Sequence, residues 1–217
     1  MTYQAAIFDL DGTLIDSLAD LGDAVNRVLA RRGFATHPGD AYRMFVGDGA
    51  AVLMRRALPP EARDAATHQE CLQAFLQDYG RNWNVKTRPY PGIGPLLDEL
   101  AGRGLKLAVF SNKPDFATQD CVAALLPSWS FDMVLGQREG RPPKPDPAGA
   151  LDIARHLEVA PGQTMFVGDS AVDVRTALAA GMLSVGACWG FRGSGELRAA
   201  GARVLIEHPA ELLQILD

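Results

Sequence analysis

An apolar run, Ala5-Ala6-Ile7-Phe8, ends directly in two carboxylates two positions apart, Asp9 and Asp11, with Gly12 and Thr13 behind them. A short continuous apolar run fits a strand buried on both faces, which belongs in a parallel sheet. Open α/β sheets hold their ligands beyond the carboxyl ends of the strands, and that is where Asp9 falls. Period-2 alternation sends Asp9 and Asp11 to the same side of an extended backbone. Gly12 ends the strand and lets the backbone come close to a ligand. Two acids that converge on one point repel unless a proton or a cation lies between them. The stretch therefore asks for a hard, oxygen-loving cation such as Mg²⁺. Alone, an Asp-rich turn after a strand would explain the same letters.

The rest of the chain divides in two. Residues 16–85 carry helical periods and no convincing strand. Ser17 is placed as an N-cap for a helix whose apolar positions run from Leu18 to Leu29, with Gly33 as its stop. Further helices are expected over 41–45, 50–58 and 61–79, punctuated by Gly47-Asp48-Gly49 and Pro59-Pro60. A block of this size is too long for a crossover loop. It reads as an inserted helical cap, returning through Arg88-Pro89-Tyr90-Pro91-Gly92. Beyond it strands (105–110, 131–135, 164–167, 183–187, 203–206) alternate with helices (93–101, 115–126, 147–157, 171–180, 210–216). Strands alternating with helices give an α/β fold: a Rossmann-like, doubly wound, mostly parallel sheet covered on both faces. The expected domains are a core of 1–15 and 86–217 and a cap of 16–85.

The 217 residues, 47% of apolar type and 22% charged, allow such a core with an insertion. A net charge of −5 supplies no basic face for nucleic acid. Cys71, Cys121 and Cys188 are few and far apart, which fits a reducing cytoplasm without disulfides. The first strand starts too early for a signal peptide, and no apolar run is long enough to span a bilayer. Monomer and dimer are equally compatible with the sequence.

Three polar clusters fall where that sheet would end. Ser111-Asn112-Lys113 follows a strand, and its hydroxyl and amide suit phosphate oxygens. Lys144 stands in Arg141-Pro142-Pro143-Lys144-Pro145-Asp146-Pro147, whose prolines stiffen the loop that aims a compact ammonium. Asp169 ends another strand in Gly168-Asp169-Ser170, and Asp173 lies one helical turn on. Each has a plainer reading by itself: an Asx turn, a solvated lysine, a helix-capping acid. Together, in this order, they are placed for one pocket at one sheet edge.

With these four motifs the chain resembles the haloacid dehalogenase-like hydrolases over nearly its full length. Ser111-Asn112-Lys113-Pro114, the helical insert and Trp189-Gly190-Phe191 look most like the phosphoglycolate phosphatases of that family. The resemblance implies phosphoryl transfer through an aspartyl-phosphate. Asp9 would be the nucleophile and Asp11 the general acid and then the general base. Asp9, the backbone carbonyl of Asp11, and Asp169 would hold Mg²⁺. Gly12 backbone, Ser111, Asn112 and Lys144 would take the phosphoryl oxygens, with Asp173 orienting Lys144 or a water. In the cap, Gly47 and Asp48 would dip toward the site and Arg43 would meet a substrate carboxylate. The expected partner is a small phosphorylated metabolite, 2-phosphoglycolate first, with neither nucleic acid nor membrane.

A pyrophosphatase and a sugar-phosphate phosphatase or mutase are alternatives on the same fold, and a catalytically silent phosphate-binding protein is another class. The last would be favoured by a missing nucleophile or acid, and neither is missing. Residues 16–85 hold no Lys for a Schiff base. No G-x-G-x-x-G follows the first strand, which disfavours a dinucleotide site. His37, His68, His156 and His208 stand in no catalytic spacing. All of this requires Lys144 and Asp169 to lie beside the first acid pair.

Overall fold

The computed structural model describes residues 3–216; Met1, Thr2 and Asp217, the ends of the expected core, lie outside the described residues. Strand β1 (Ala5–Phe8) is fully buried and central. Its residues alternate between two hydrophobic layers. Ala6 and Phe8 face helix α5 (Ile93–Gly102) and the C-terminal segment, while Ala5 and Ile7 face helix α7 (Ala148–His156). A strand covered on both sides has no wet face, hence its unbroken apolar run.

The other strands are β4 (Lys106–Pro114), β5 (Met133–Gln137), β6 (Thr164–Gly168), β7 (Leu183–Ala187) and β8 (Val204–Ile206), and the sheet order is β5-β4-β1-β6-β7-β8 with every pair parallel. Strands β4 and β6 flank β1, so their carboxyl ends bring Ser111 and Asp169 to either side of Asp9. Helices α6 (Asp115–Leu125) and α8 (Ala171–Ala179) start from those ends.

Between β1 and α5 the chain forms α1 (Leu18–Arg31), α2 (Tyr42–Phe45), α3 (Ala50–Ala57) and α4 (Ala65–Asn82). These close around a hydrophobic cluster of their own, with Leu29, Tyr42, Met54 and Phe75 fully buried. Among the described residues, Phe191, after β7, is the one member of that cluster from outside the helical insert. Asp20 straps the insert to the chain that leaves it: its Oδ2 accepts from the backbone N–H groups of Lys86 and Thr87 and from the Thr87 hydroxyl, each at 2.8 Å.

Several local expectations change. Ser17 does not cap α1; its hydroxyl donates to Asp11 Oδ1 at 2.5 Å, the stronger partner being a carboxylate. Asp16 is not helical but belongs to β2 (Ile15–Asp16), which pairs antiparallel with β3 (Arg88–Pro89) where the chain enters and leaves the insert. The single helix expected over 61–79 is a 3₁₀ turn at Pro60–Ala62 and then α4, because Asp64 accepts from Ala66 and Thr67 N–H and restarts the helix there. A short helix α9 (Ser194–Ala199) was not expected, and the final helix is 3₁₀ (Pro209–Ile215). Strand β4 runs on through Ser111, Asn112 and Lys113, so that cluster is extended rather than a turn.

Candidate active site

Asp9 leaves β1 with its backbone N–H bonded to Val167 O of β6 at 2.9 Å. The next residues turn tightly, with the N–H groups of Thr13, Leu14 and Ile15 all converging on Leu10 O. Gly12 has φ +91°, and a Cβ there would stand 2.3 Å from Asp169 Oδ2. A Cβ on Gly190 would meet Asp169 Cβ and Gly12 O at the same distance. Only two glycines allow Asp169 to be wedged between these loops, and the acid is pinned there by an N–H bond from Phe191 to Oδ2 at 2.6 Å.

Lys144 lies beside the first acid pair, as the motif order required. Its ammonium is 2.8 Å from Asp9 Oδ1 and 2.6 Å from Asp173 Oδ1, and it donates to Phe110 O at 3.0 Å. It sits over the rings of Phe110 and Phe166, 5.6 and 5.7 Å from their centroids. Asp173 does two jobs. Its Oδ2 accepts from the N–H and hydroxyl of Ser170 in a capping box at the start of α8, while Oδ1 holds Lys144.

Asp9, Asp169 and Asp173 are buried and offer oxygens within 4.8 Å of one another. Three carboxylates facing one ammonium leave negative charge in excess. The protonation balance shows the strain. Burial, and then Asp173, push Asp9 up to about 7 against the pull of Lys144. Burial with Asp173 and Asp9 raises Asp169 well above the usual carboxylate range. Burial opposes the charge on Lys144, but Asp173 and Asp9 outweigh it and hold the ammonium protonated. A cluster of oxygen donors with surplus negative charge fits a hard divalent cation.

The Asp11 carboxylate stands apart from that cluster. Both its oxygens face Lys113 Nζ, at 3.0 and 3.1 Å, and Lys113 also donates to Tyr79 Oη of α4 at 2.8 Å. Asp11 and Tyr79 keep Lys113 charged despite its burial. Lys113 and Tyr79 are the residues that sequence reasoning left without a role. Lys113 stood inside a motif already singled out; nothing in the letters of an amphipathic helix marked Tyr79.

Other expected site residues are occupied differently. The Gly12 N–H is spent on Ile15 O at 2.8 Å, so the glycine makes room for Asp169 rather than donating to an anion. Asn112 is committed at both ends: its amide accepts from Lys144 N–H at 2.8 Å and donates to Lys144 O and Gly47 O at 3.0 and 3.2 Å. It ties the lysine loop to the insert while it lines the cleft. Ser111 accepts from Lys113 N–H at 3.2 Å, which leaves its own O–H to donate. Gly47 lines the cleft, but Asp48 is turned to Arg56 at 2.6 Å and Arg43 donates to Gly190 O at 3.2 Å; neither lines it. The reason is local: Asp48 finds its partner inside the insert, and Arg43 is drawn across to a backbone carbonyl of the core.

The family model of haloacid dehalogenase-like hydrolases matches residues 3–181. This chain belongs to that family. The chain is 35% identical to a phosphoglycolate phosphatase of Psychrobacter arcticus over 208 residues, covering 91% of this chain and 89% of that one. It is also 35% identical to a phosphoglycolate phosphatase of Pseudomonas putida, covering 95% and 77%. Among solved structures, a predicted phosphoglycolate phosphatase from Haemophilus somnus superposes with a TM-score of 0.93 at 28% identity, covering 100% of this chain and 99% of that one. The α/β fold is thus the family's, and the enzyme class is phosphatase. No described helix is long and apolar enough to cross a membrane.

Proposed function

We propose that this hydrolase splits a small phosphate monoester, 2-phosphoglycolate first, through a phosphoryl group carried on Asp9. The observation that carries the reading is the placement of Asp9 between two unlike sets of charges. On one side Lys144, Asp169 and Asp173 form a charged, buried cluster; on the other Asp11 stands separately with Lys113. That separation allots two roles. Asp9 attacks phosphorus, and its oxygen is kept aimed by the Lys144 ammonium. Asp11 gives a proton to the departing oxygen and later takes one from the water that cleaves the acyl phosphate. Lys113, paired to both Asp11 oxygens, steadies the carboxylate between those two steps.

Asp9 and Asp169, with the Asp11 carbonyl, would hold Mg²⁺; Asp173 is already satisfied by Ser170 and Lys144. Bound there, the cation supplies positive charge that keeps Asp9 ionised and draws charge from the phosphoryl oxygens. Ser111 Oγ–H and the Lys144 charge answer the remaining oxygens. Asn112 acts at one remove, by holding the Lys144 backbone. The helical insert serves as a cap of 16–85 on a core of 1–15 and 86–217, and its strap at Asp20 is placed to act as the hinge. The free cysteines, two of them buried, fit a cytoplasmic setting.

The substrate rests on the relatives, which are named phosphoglycolate phosphatases. The test is phosphate release from 2-phosphoglycolate, with Mg²⁺ and after EDTA, plus mass analysis of acid-quenched Asp11→Asn protein for a phosphoryl adduct. The expected result is metal-dependent release and an adduct on Asp9. Release that ignores EDTA, or an adduct on another residue, overturns the reading.

A further inference from the structure

The cleft has a half that phosphate chemistry leaves unused. Away from the acids its wall is apolar: Val46, Leu53, Phe75, Leu76 and Trp83 from the insert face Phe116 of α6. Phe116 is 60% exposed, a large aromatic side chain held in water at the mouth. The cleft between the insert and the sheet edge holds about 100 Å³.

Charge settles what kind of tail would fit. Among the described residues lining the cleft, Lys113 is the one cation, and Asp11 and the Tyr79 hydroxyl already take its ammonium. Asp120 adds an acid to the lining. An anionic tail laid against this apolar wall would be stripped of water with no unpaired cation to receive it. An uncharged hydrocarbon tail would lose only its own unfavourable hydration. We propose that this site also hydrolyses phosphate monoesters of apolar alcohols, with the hydrocarbon part lying against Leu53, Phe75, Leu76, Trp83 and Phe116.

The inference rests on the phosphatase reading of the same site and extends it beyond 2-phosphoglycolate. In the reaction the ester P–O bond breaks as a bond from Asp9 to phosphorus forms, and the departing alkoxide takes the Asp11 proton. Water then splits the acyl phosphate, so the products are the alcohol and inorganic phosphate.

The experiment is a steady-state series of n-alkyl phosphates from ethyl to hexyl, run with Mg²⁺ beside 2-phosphoglycolate. Their leaving groups are nearly alike in basicity, so the slope with chain length reports burial. Each methylene laid against the wall should raise kcat/KM about fourfold, corresponding to ~0.8 kcal/mol, until the wall is covered. Leu76→Asp should flatten the slope. Phe116→Ser, at an exposed position where folding is safe, should lower it for the longest members. A flat or falling series while 2-phosphoglycolate is turned over overturns this inference alone. Unchanged slopes in both variants overturn the placement of the tail. No phosphate release from any member, 2-phosphoglycolate included, overturns the phosphatase reading with it.

Discussion

The two halves of the cleft are made on opposite plans. In the phosphoryl half almost every polar atom is claimed: Lys144 makes three contacts, Asp173 closes a capping box, and Asp169 is wedged between two glycines. Its residues come from strand ends of one sheet, the loop before α7 and the first turn of α8, where hydrogen bonds fix positions to fractions of an ångström. In the tail half the walls are Leu, Val, Phe and Trp side chains drawn from several helices, with few directional bonds. The first half should therefore fail abruptly when one atom is changed. The second should respond in proportion to the area lost. On the proposed function, chemistry belongs to the over-determined half and selection among substrates to the graded one.

The sharpest way to break the comparison is Asp9→Asn. A neutral amide is no nucleophile, and turnover should fall by at least about a thousandfold, as single losses from a covalent catalytic unit do. The folded protein should at the same time become more stable in EDTA, because one charge leaves a cluster with negative charge in excess. A thermal melt and an activity assay on one sample check both. A variant that is inactive but less stable than its parent would mean that Asp9 is a structural anchor and that the phosphoryl half is not strained.

Asp11→Asn should cost less, about a hundred- to ten-thousandfold, the range for a positioned proton donor. The loss must depend on the leaving group. An alkyl phosphate, whose alkoxide needs a proton, should suffer far more than an aryl phosphate, whose phenoxide departs readily. Equal losses on both substrates would reassign Asp11 from acid to electrostatic partner of Lys113.

How far the sequence reached follows the same divide. The phosphoryl half was legible because strand ends collect ligand groups whatever the details, and because Asp, Ser and Lys types at four ordered positions limit the chemistry. Lys144 and Asp169 stand where that logic puts them. What the letters could not show is which oxygen each group spends and on whom. Ser17 turned from a helix cap to Asp11, and Asn112 also clamps the Lys144 backbone, because a nearby carboxylate or carbonyl competes well only once the chain has folded. The tail half was almost illegible. Leu53, Phe75 and Trp83 read as ordinary helix interior, and the space among them depends on how α3 and α4 are spaced rather than on any residue type. The expected boundaries at 16 and 85 lie close to the β2–β3 ribbon, a pairing too short to carry a strand pattern.

The pH dependence of stability sharpens the account of strain in the phosphoryl half. Asp9 and Asp169 hold their protons more tightly in the folded chain than in the unfolded one. The native state then binds more protons than the unfolded state between the ordinary carboxylate value of 3.8 and about 7. Stability in EDTA must fall as pH rises through that window. Added Mg²⁺ should reverse the loss, so its melting-temperature increment should be larger at about pH 7.5 than at about pH 5, where protons compete for the same oxygens. Melts at the two pH values, with and without Mg²⁺, decide this. A metal increment that is the same at both would show that the cation does not bind the strained acids.

The smallest effect is expected at Arg43. Sequence reasoning aimed it at a substrate carboxylate, where its loss would raise KM steeply, since bidentate guanidinium–carboxylate contacts are strong. In the structure its guanidinium donates to Gly190 O and lies 3.7 Å from Asp40, and it does not line the cleft. It belongs to a seam between insert and core that also includes the Arg192 contacts to Met44 O and Val46 O and the Asn112 contact to Gly47 O. One partly exposed hydrogen bond out of that set contributes on the order of 1 kcal/mol to closing the seam. Arg43→Ala should therefore shift KM for 2-phosphoglycolate and for a neutral aryl phosphate by the same small factor, no more than about fivefold. A loss confined to 2-phosphoglycolate would show that the insert swings Arg43 into the cleft when substrate binds, and would give the graded half a directional contact that the closed seam conceals.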